Sequence, residues 1–284
     1  MNPARYSLSH RLGQWLLNLI AALVLLFLIF PLIIIIPLSF NSEPFFSITP
    51  EMLRLEPEAF SLRWYQQLYD ASNWHLAIRN SFLIGGCATL LATTLGTLGA
   101  LGLSQPHMPG RRLITALLLS PMIVPVIILA AGMFFFYAPF NLTSSFTGLI
   151  LAHATLGIPF VVITVTATLT GLDPAFYRAA LSLGASPWHA FRTVVFPAIR
   201  PGIITGAIFA FITSFDEIII VLFLAGPEQK TIPREMFSGL REQINPSILA
   251  VATVLIAFSA LFLLCLSLLQ RGSRRLKAQI SPPA

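Results

Sequence analysis

The sequence predicts an all-α integral membrane protein with six transmembrane helices. Three observations carry this expectation. The 284-residue chain is 56% hydrophobic and only 10% charged, where a soluble domain carries about 25% charged residues. Its apolar residues gather into six runs of the length, roughly 20 residues, that crosses a bilayer. Its cations fall unevenly on the connections between those runs.

The runs are 15–38, 78–103, 113–136, 147–170, 202–225 and 247–269. With the N-terminus inside, the inner segments hold Arg5, Arg11, Arg111, Arg112, Arg178, Arg192, Arg200, Arg271, Arg274, Arg275 and Lys277. The outer segments hold Arg54, Arg63, Arg79, Lys230, Arg234 and Arg241. Asp173 is the one acid assigned to an inner segment. The positive-inside rule then puts both termini in the cytoplasm. The first run exceeds the 7–15 residues of a signal-peptide core and no small-x-small site follows it, so it is expected as a retained span.

The connection 39–77 has an acidic part (Glu43, Glu51, Glu56, Glu58) and an amphipathic part, SLRWYQQLYDASNW. Trp64, Tyr65, Tyr69 and Trp74 suit a helix lying at the membrane surface; a docking surface for an external partner is the alternative. In the second run, Thr89–Thr93 and Ala92–Gly96–Ala100 place small residues four apart, a helix-packing pattern. In the third, Pro121 and Pro125 each free a backbone carbonyl, as in a kinked helix beside a water-filled cavity. His153, in the fourth, is either a hydrogen-bonded structural residue or a group on a transport path. Cys87 and Cys265 fall in apolar runs and read as small hydrophobes, with neither metal spacing nor a disulfide framework. The segment 226–246 reads as an outer loop with at most a short helix, and the basic tail as an inner-leaflet anchor. Nucleic-acid binding is excluded, since no basic stretch carries base-reading polar groups.

The fifth run contains FITSFDEIII. Two adjacent acids, Asp216 and Glu217, in an apolar helix are costly facing lipid. Thr213, one turn from Glu217, is expected to share a polar face with it. The pair is either structural or an electronegative lining for a cation path.

The inner connection 171–201 is longer than a link requires. Asp173-Pro174 supplies a cap and a first turn. Gly184 interrupts, and Ser186-Pro187 restarts a helix through His189 and Arg192 before Pro197. Two short helices with a glycine turn are expected, and Pro197–Pro201 reads as a hinge into the fifth span. This segment resembles the cytoplasmic signature loop of ATP-binding-cassette importer permeases: Glu-Ala-Ala, three residues, Gly, nine residues, Ile-x-Leu-Pro. Arg178, Ala179, Ala180, Gly184, Val194, Phe196 and Pro197 match in spacing. Arg178 stands where the family has an acid, so an acid-based ion pair is unavailable at that position.

The stretch 214–255 and the entry SLRWYQQL…IRNSFLIG are similar to permeases of the spermidine/putrescine branch. The resemblance implies a type I importer permease fold with cytoplasmic coupling helices. The domains are then a first span with the start of the periplasmic loop (1–60), a permease core (61–270) and a basic tail (271–284). It further implies a multi-pass bacterial inner-membrane protein forming half of a pore for a polyamine-type cation. Its partners are a second permease, two cytoplasmic ATPases and a periplasmic substrate-binding protein. ATP and Mg are held by the ATPase, and this chain binds no cofactor. The implied coupling residues are Arg178, Ala179, Ala180, Gly184, Pro187, His189, Arg192 and Pro197. Asp216, Glu217, Thr213 and His153 are the path candidates. Ferric iron, phosphonate, thiamine or amino-acid importers share the scaffold and remain alternatives.

The chain has no GxxxxGK[ST] run to hydrolyse ATP itself. An intramembrane enzyme built on His153, Asp216 and Glu217 lacks a nucleophile–base pairing or an HExxH run. An autonomous channel or carrier leaves the helical inner loop without a role.

Overall fold

A computed structural model describes residues 8–105, 107–242, 246–261 and 264. The basic tail, Cys265 and the end of the sixth run lie outside them. The chain divides into two compact units, one made of residues 1–71 and 239–284, the other of residues 72–238.

In the first unit, α1 (Leu8–Leu38) is long enough to cross a membrane, and its apolar window buries none of its side chains. α2 (Pro50–Leu53) and α3 (Arg63–Asp70) follow. The ring of Trp64 is buried within the protein, and Nε1 donates to Asn41 O at 2.7 Å. Tyr65 Oη lies 2.7 Å from Ser39 Oγ, while Tyr69 is exposed.

The second unit opens with α4 (Ser72–Leu103) and α5 (Arg111–Ile123). Trp74 starts α4 as a buried residue rather than an interfacial one. Cys87, also on α4, is exposed. Next come α6 (Val126–Tyr137) and α7 (Phe146–Thr170), then α8 (Pro174–Ser182) and α9 (Pro187–Ala190). α10 (Phe196–Phe215), α11 (Ile219–Leu224) and α12 (Ile232–Glu242) follow. An apolar helix of the first unit, α13 (Ser247–Leu261), begins the sixth run. Among the described residues four helices can cross a membrane, or five if the bent pair α5/α6 is one span.

α7 is the most buried of these spans, and the small-residue pattern explains how. A Cβ on Gly157 would stand 2.9 Å from Ala210 Cβ and 3.0 Å from Ala92 Cβ. At this point α4, α7 and α10 touch backbone to backbone. Such contact supplies the dispersion that holds helices together where water gives no drive. Gly96 repeats the arrangement against Val161.

Two expectations change, and a third is sharpened: within the third run α5 and α6 meet at 109°, a broken span or a re-entrant turn. Pro125 excludes the helical conformation from Val124, which sits extended at φ −72°, ψ 131°. The fifth run is not one helix either, since helix ends at Phe215 and resumes at Ile219. The segment after it carries an 11-residue amphipathic helix, α12, longer than the short helix expected at most.

Gly157→Leu is expected to lower stability by about 1–3 kcal/mol through overpacking. A thermal-unfolding midpoint in detergent equal to the native one would contradict this packing.

Candidate coupling loop and translocation path

The connection 171–201 is built by local capping. Asp173 Oδ1 accepts from Ala175 N at 2.8 Å, with Pro174 in the first turn of α8. At the other end Gly184 N–H donates to Leu181 O and Ala185 N–H to Ala180 O. These two bonds form a Schellman cap. The cap needs its left-handed residue, and Gly184 supplies it at φ +86°. Ser186 Oγ then caps α9 by accepting from His189 N.

No second short helix follows. From Pro187 the chain is helical without interruption to Phe215, 29 residues. The expected hinge at Pro197–Pro201 is a stretch of helix. Phe191–Val195 is wound as a π-turn, and Phe196 N–H donates to Phe191 O. Pro197 has no N–H and its ring crowds the preceding turn; the wider turn accommodates that without a kink.

Arg178, Ala179, Pro187, His189, Arg192 and Pro197 are exposed on this connection, and Ala180 is half-buried. Among the described residues no carboxylate pairs with Arg178 or Arg192. Phe176, Leu183 (89% exposed) and Trp188 (68%) stand beside them. The sequence reading passed over these three; large apolar side chains in a segment outside the apolar runs were the available signal.

At the far end of the same helix, Ser214 is buried and its Oγ lies 2.8 Å from His153 Nδ1. His153 is itself buried, with no partner at Nε2 among the described residues. It ties α7 to the last turn of α10. Asp216 is the C-cap of α10 and exposed. Glu217 turns the other way, and its Oε1 accepts from Ile220 N at 2.9 Å, capping α11. The two acids therefore flank a helix break, and Thr213 on α10 shares no continuous helical face with Glu217. The rings of Phe82, Phe211 and Phe215 cluster beside the break, with centroids 5.4–6.4 Å apart.

A polar knot closes the unit beyond the break. Asn80 Nδ2 donates to Glu228 O and Lys230 O at 2.8 and 2.9 Å. Ser81 Oγ accepts from Ile232 N. Asn73 Nδ2 donates to Glu235, which Lys230 Nζ approaches to 3.3 Å. Arg234 donates to Ala225 O and Gly226 O; burial holds its guanidinium below the usual pKa and Glu235 opposes the shift. Sequence reading missed this knot, although Asn80-Ser81 was a polar pair at the head of an apolar run.

A family model described as the inner membrane component of binding-protein-dependent transport systems matches residues 92–276. The chain belongs to this family. It is 28% identical over 257 residues to the spermidine/putrescine transport system permease protein PotC of Haemophilus influenzae, covering 90% of this chain and 97% of that one. It is 29% identical over 237 residues to the putrescine transport system permease protein PotI of Escherichia coli K12, covering 81% and 82%. A bacterial ABC transporter importing the acidic polysaccharide alginate superposes with a TM-score of 0.70 at 16% identity, covering 94% of this chain and 98% of that chain. The fold is thus that of an ABC importer permease.

Asn80→Ala leaves two carbonyls without their donor, a loss of about 1–3 kcal/mol. Hydrogen–deuterium exchange across residues 226–232 is expected to accelerate; exchange at the native rate would show that the knot does not hold this loop.

Proposed function

We propose that this inner-membrane chain is a non-catalytic permease subunit of an ATP-driven importer and forms half of a pore for a polyamine. The second half is a homologous permease. Two cytoplasmic ATPases hold ATP and Mg and dock on the 171–201 connection, and a periplasmic binding protein delivers the cargo. Both termini are cytoplasmic. The similarity to PotC and PotI supports the cargo class.

The observation that carries the reading is the position of Asp216. A helix C-terminus is its negative end, where a carboxylate is disfavoured and a cation favoured. The last turn of α10 holds no basic residue. Among the described residues no Lys, Arg or His pairs with Asp216. A passing ammonium relieves this arrangement, whereas an acidic polysaccharide would meet repulsion. Glu217 and His153 are positioning residues in this reading: one caps α11, the other fixes α10 through Ser214. Arg178, Ala179, Ala180, Gly184, Pro187, His189, Arg192 and Pro197 form the ATPase contact, with Phe176, Leu183 and Trp188 as its apolar part.

ATP energy enters at α8 and α9 and reaches Asp216 along one helix. That helix moves against its counterpart in alternating access.

Two substitutions test the two ends. Gly184→Asp forces a side chain into a left-handed position and breaks the Schellman cap. It is expected to abolish coupled uptake while the chain stays in the membrane; normal uptake would refute the docking role. Asp216→Asn is expected to slow putrescine transport by about tenfold or more, the loss of one charge-assisted interaction. ATPase retention should not change. Native transport rates in that variant would remove Asp216 from the path.

A further inference from the structure

The second helix break has no role in the account so far. α5 ends at Ile123, and Val124 N–H donates to Ser120 O. The carbonyls of Pro121, Met122 and Ile123 find no donor among the described residues. The reason lies in the sequence. Helical continuation would pair Pro121 O with the N–H of residue 125, and that residue is a second proline. The carbonyl that Pro121 itself frees, on Leu117, is different: Ser120 Oγ donates to it at 2.8 Å. One proline is locally compensated and the other is not.

Unsatisfied backbone inside a bilayer is tolerated only where protein covers it or water reaches it. The turn lies at the surface of this chain, with Met122 48% exposed and Ile123 79%. The last turn of α5 also lacks a basic residue.

The break lies near the acidic one in depth. Gly157 of α7 meets Ala210, and Gly99 meets both Leu118 and Val162. α5 and α10 both run against α7, so Ile123 is level with Ala210, five residues short of Phe215. That is about 7.5 Å along the helix. The two following helices, α6 and α11, share a core of Ala130, Tyr137, Ile220, Val221 and Leu224. Because α5 and α10 both run against α7, their negative ends point the same way along it.

We propose that the carbonyls of Pro121, Met122 and Ile123 form a second ammonium-binding station, about 9 Å nearer the 171–201 connection than Asp216. An alkylammonium brings three N–H donors to three acceptors at the negative end of a helix. A diamine thus passes from a carboxylate station to a carbonyl station without shedding both ammonium groups into the apolar interior. This rests on the polyamine reading.

The test uses the complete complex, with its ATPase and receptor, in proteoliposomes with labelled putrescine. Pro125→Ala restores the donor for Pro121 O and lets α5 continue. Putrescine carried per ATP is expected to fall by about tenfold, with receptor-stimulated ATP hydrolysis within about twofold of native. Pro31→Ala, which removes an exposed helix-internal proline from α1, is the control and should leave the ratio unchanged. Val124→Lys tethers an ammonium at the carbonyls and should block putrescine while hydrolysis persists; it serves if Pro125→Ala does not assemble.

An unchanged ratio in both Pro125→Ala and Val124→Lys overturns the station alone. So does a parallel fall in transport and hydrolysis, or loss of the second permease from the complex, which would show that the partner's side chains occupy these carbonyls. A native complex that carries no amine overturns the polyamine reading and the station with it.

Discussion

A backbone carbonyl or amide needs a partner, and inside a bilayer the protein must supply it. The rest of this structure depends on that constraint. Intact helices meet it almost wholly internally: α4 does so over 32 residues, while Pro159 in α7 and Pro201 in α10 each free one carbonyl. The backbones approach closely at Gly157 and Gly96. Where the helices stop, the constraint becomes local and informative. Ser120 compensates Pro121, Glu217 caps α11, and Asn80 gathers two loop carbonyls. Among the described residues the last carbonyls of α5 and α10 find no such partner, and both are negative ends.

The same constraint explains how force can travel. A proline inside a helix ordinarily marks a kink. Here the π-turn Phe191–Val195 absorbs Pro197, and the helix runs on through Pro201. The start of α9 and the acidic break are therefore the two ends of one helix, roughly 43 Å long at 1.5 Å per residue. His153 holds its far end to α7 through Ser214.

Much of this was legible in the sequence. Helix content, the capped start at Asp173-Pro174 and the glycine at 184 follow from local chemistry, which acts over three or four residues. Hydropathy could not show that Asp216 and Glu217 end a helix, because the residues on both sides of them are equally apolar. The same limit hid the 109° turn after Ile123: two prolines predict a kink, but not its angle or which carbonyl finds a donor. The fates of Trp64 and Trp74 were also hidden. An amphipathic ring suits a membrane surface and a buried hydrogen bond equally, and only tertiary contacts choose. Arg178 remains a departure from the family's acid at that position, now seen on an exposed surface with Arg192, Leu183 and Trp188.

The central claim is that the coupling surface and the acidic break move as one rigid body. The direct measurement is the distance between spin labels at Trp188 and Ile212 of this chain, in the assembled complex, with and without ATP. A single helix predicts about 36 Å in both states, with a narrow distribution. A shift of several ångströms between the states would place a hinge at Pro197–Pro201 and contradict the account.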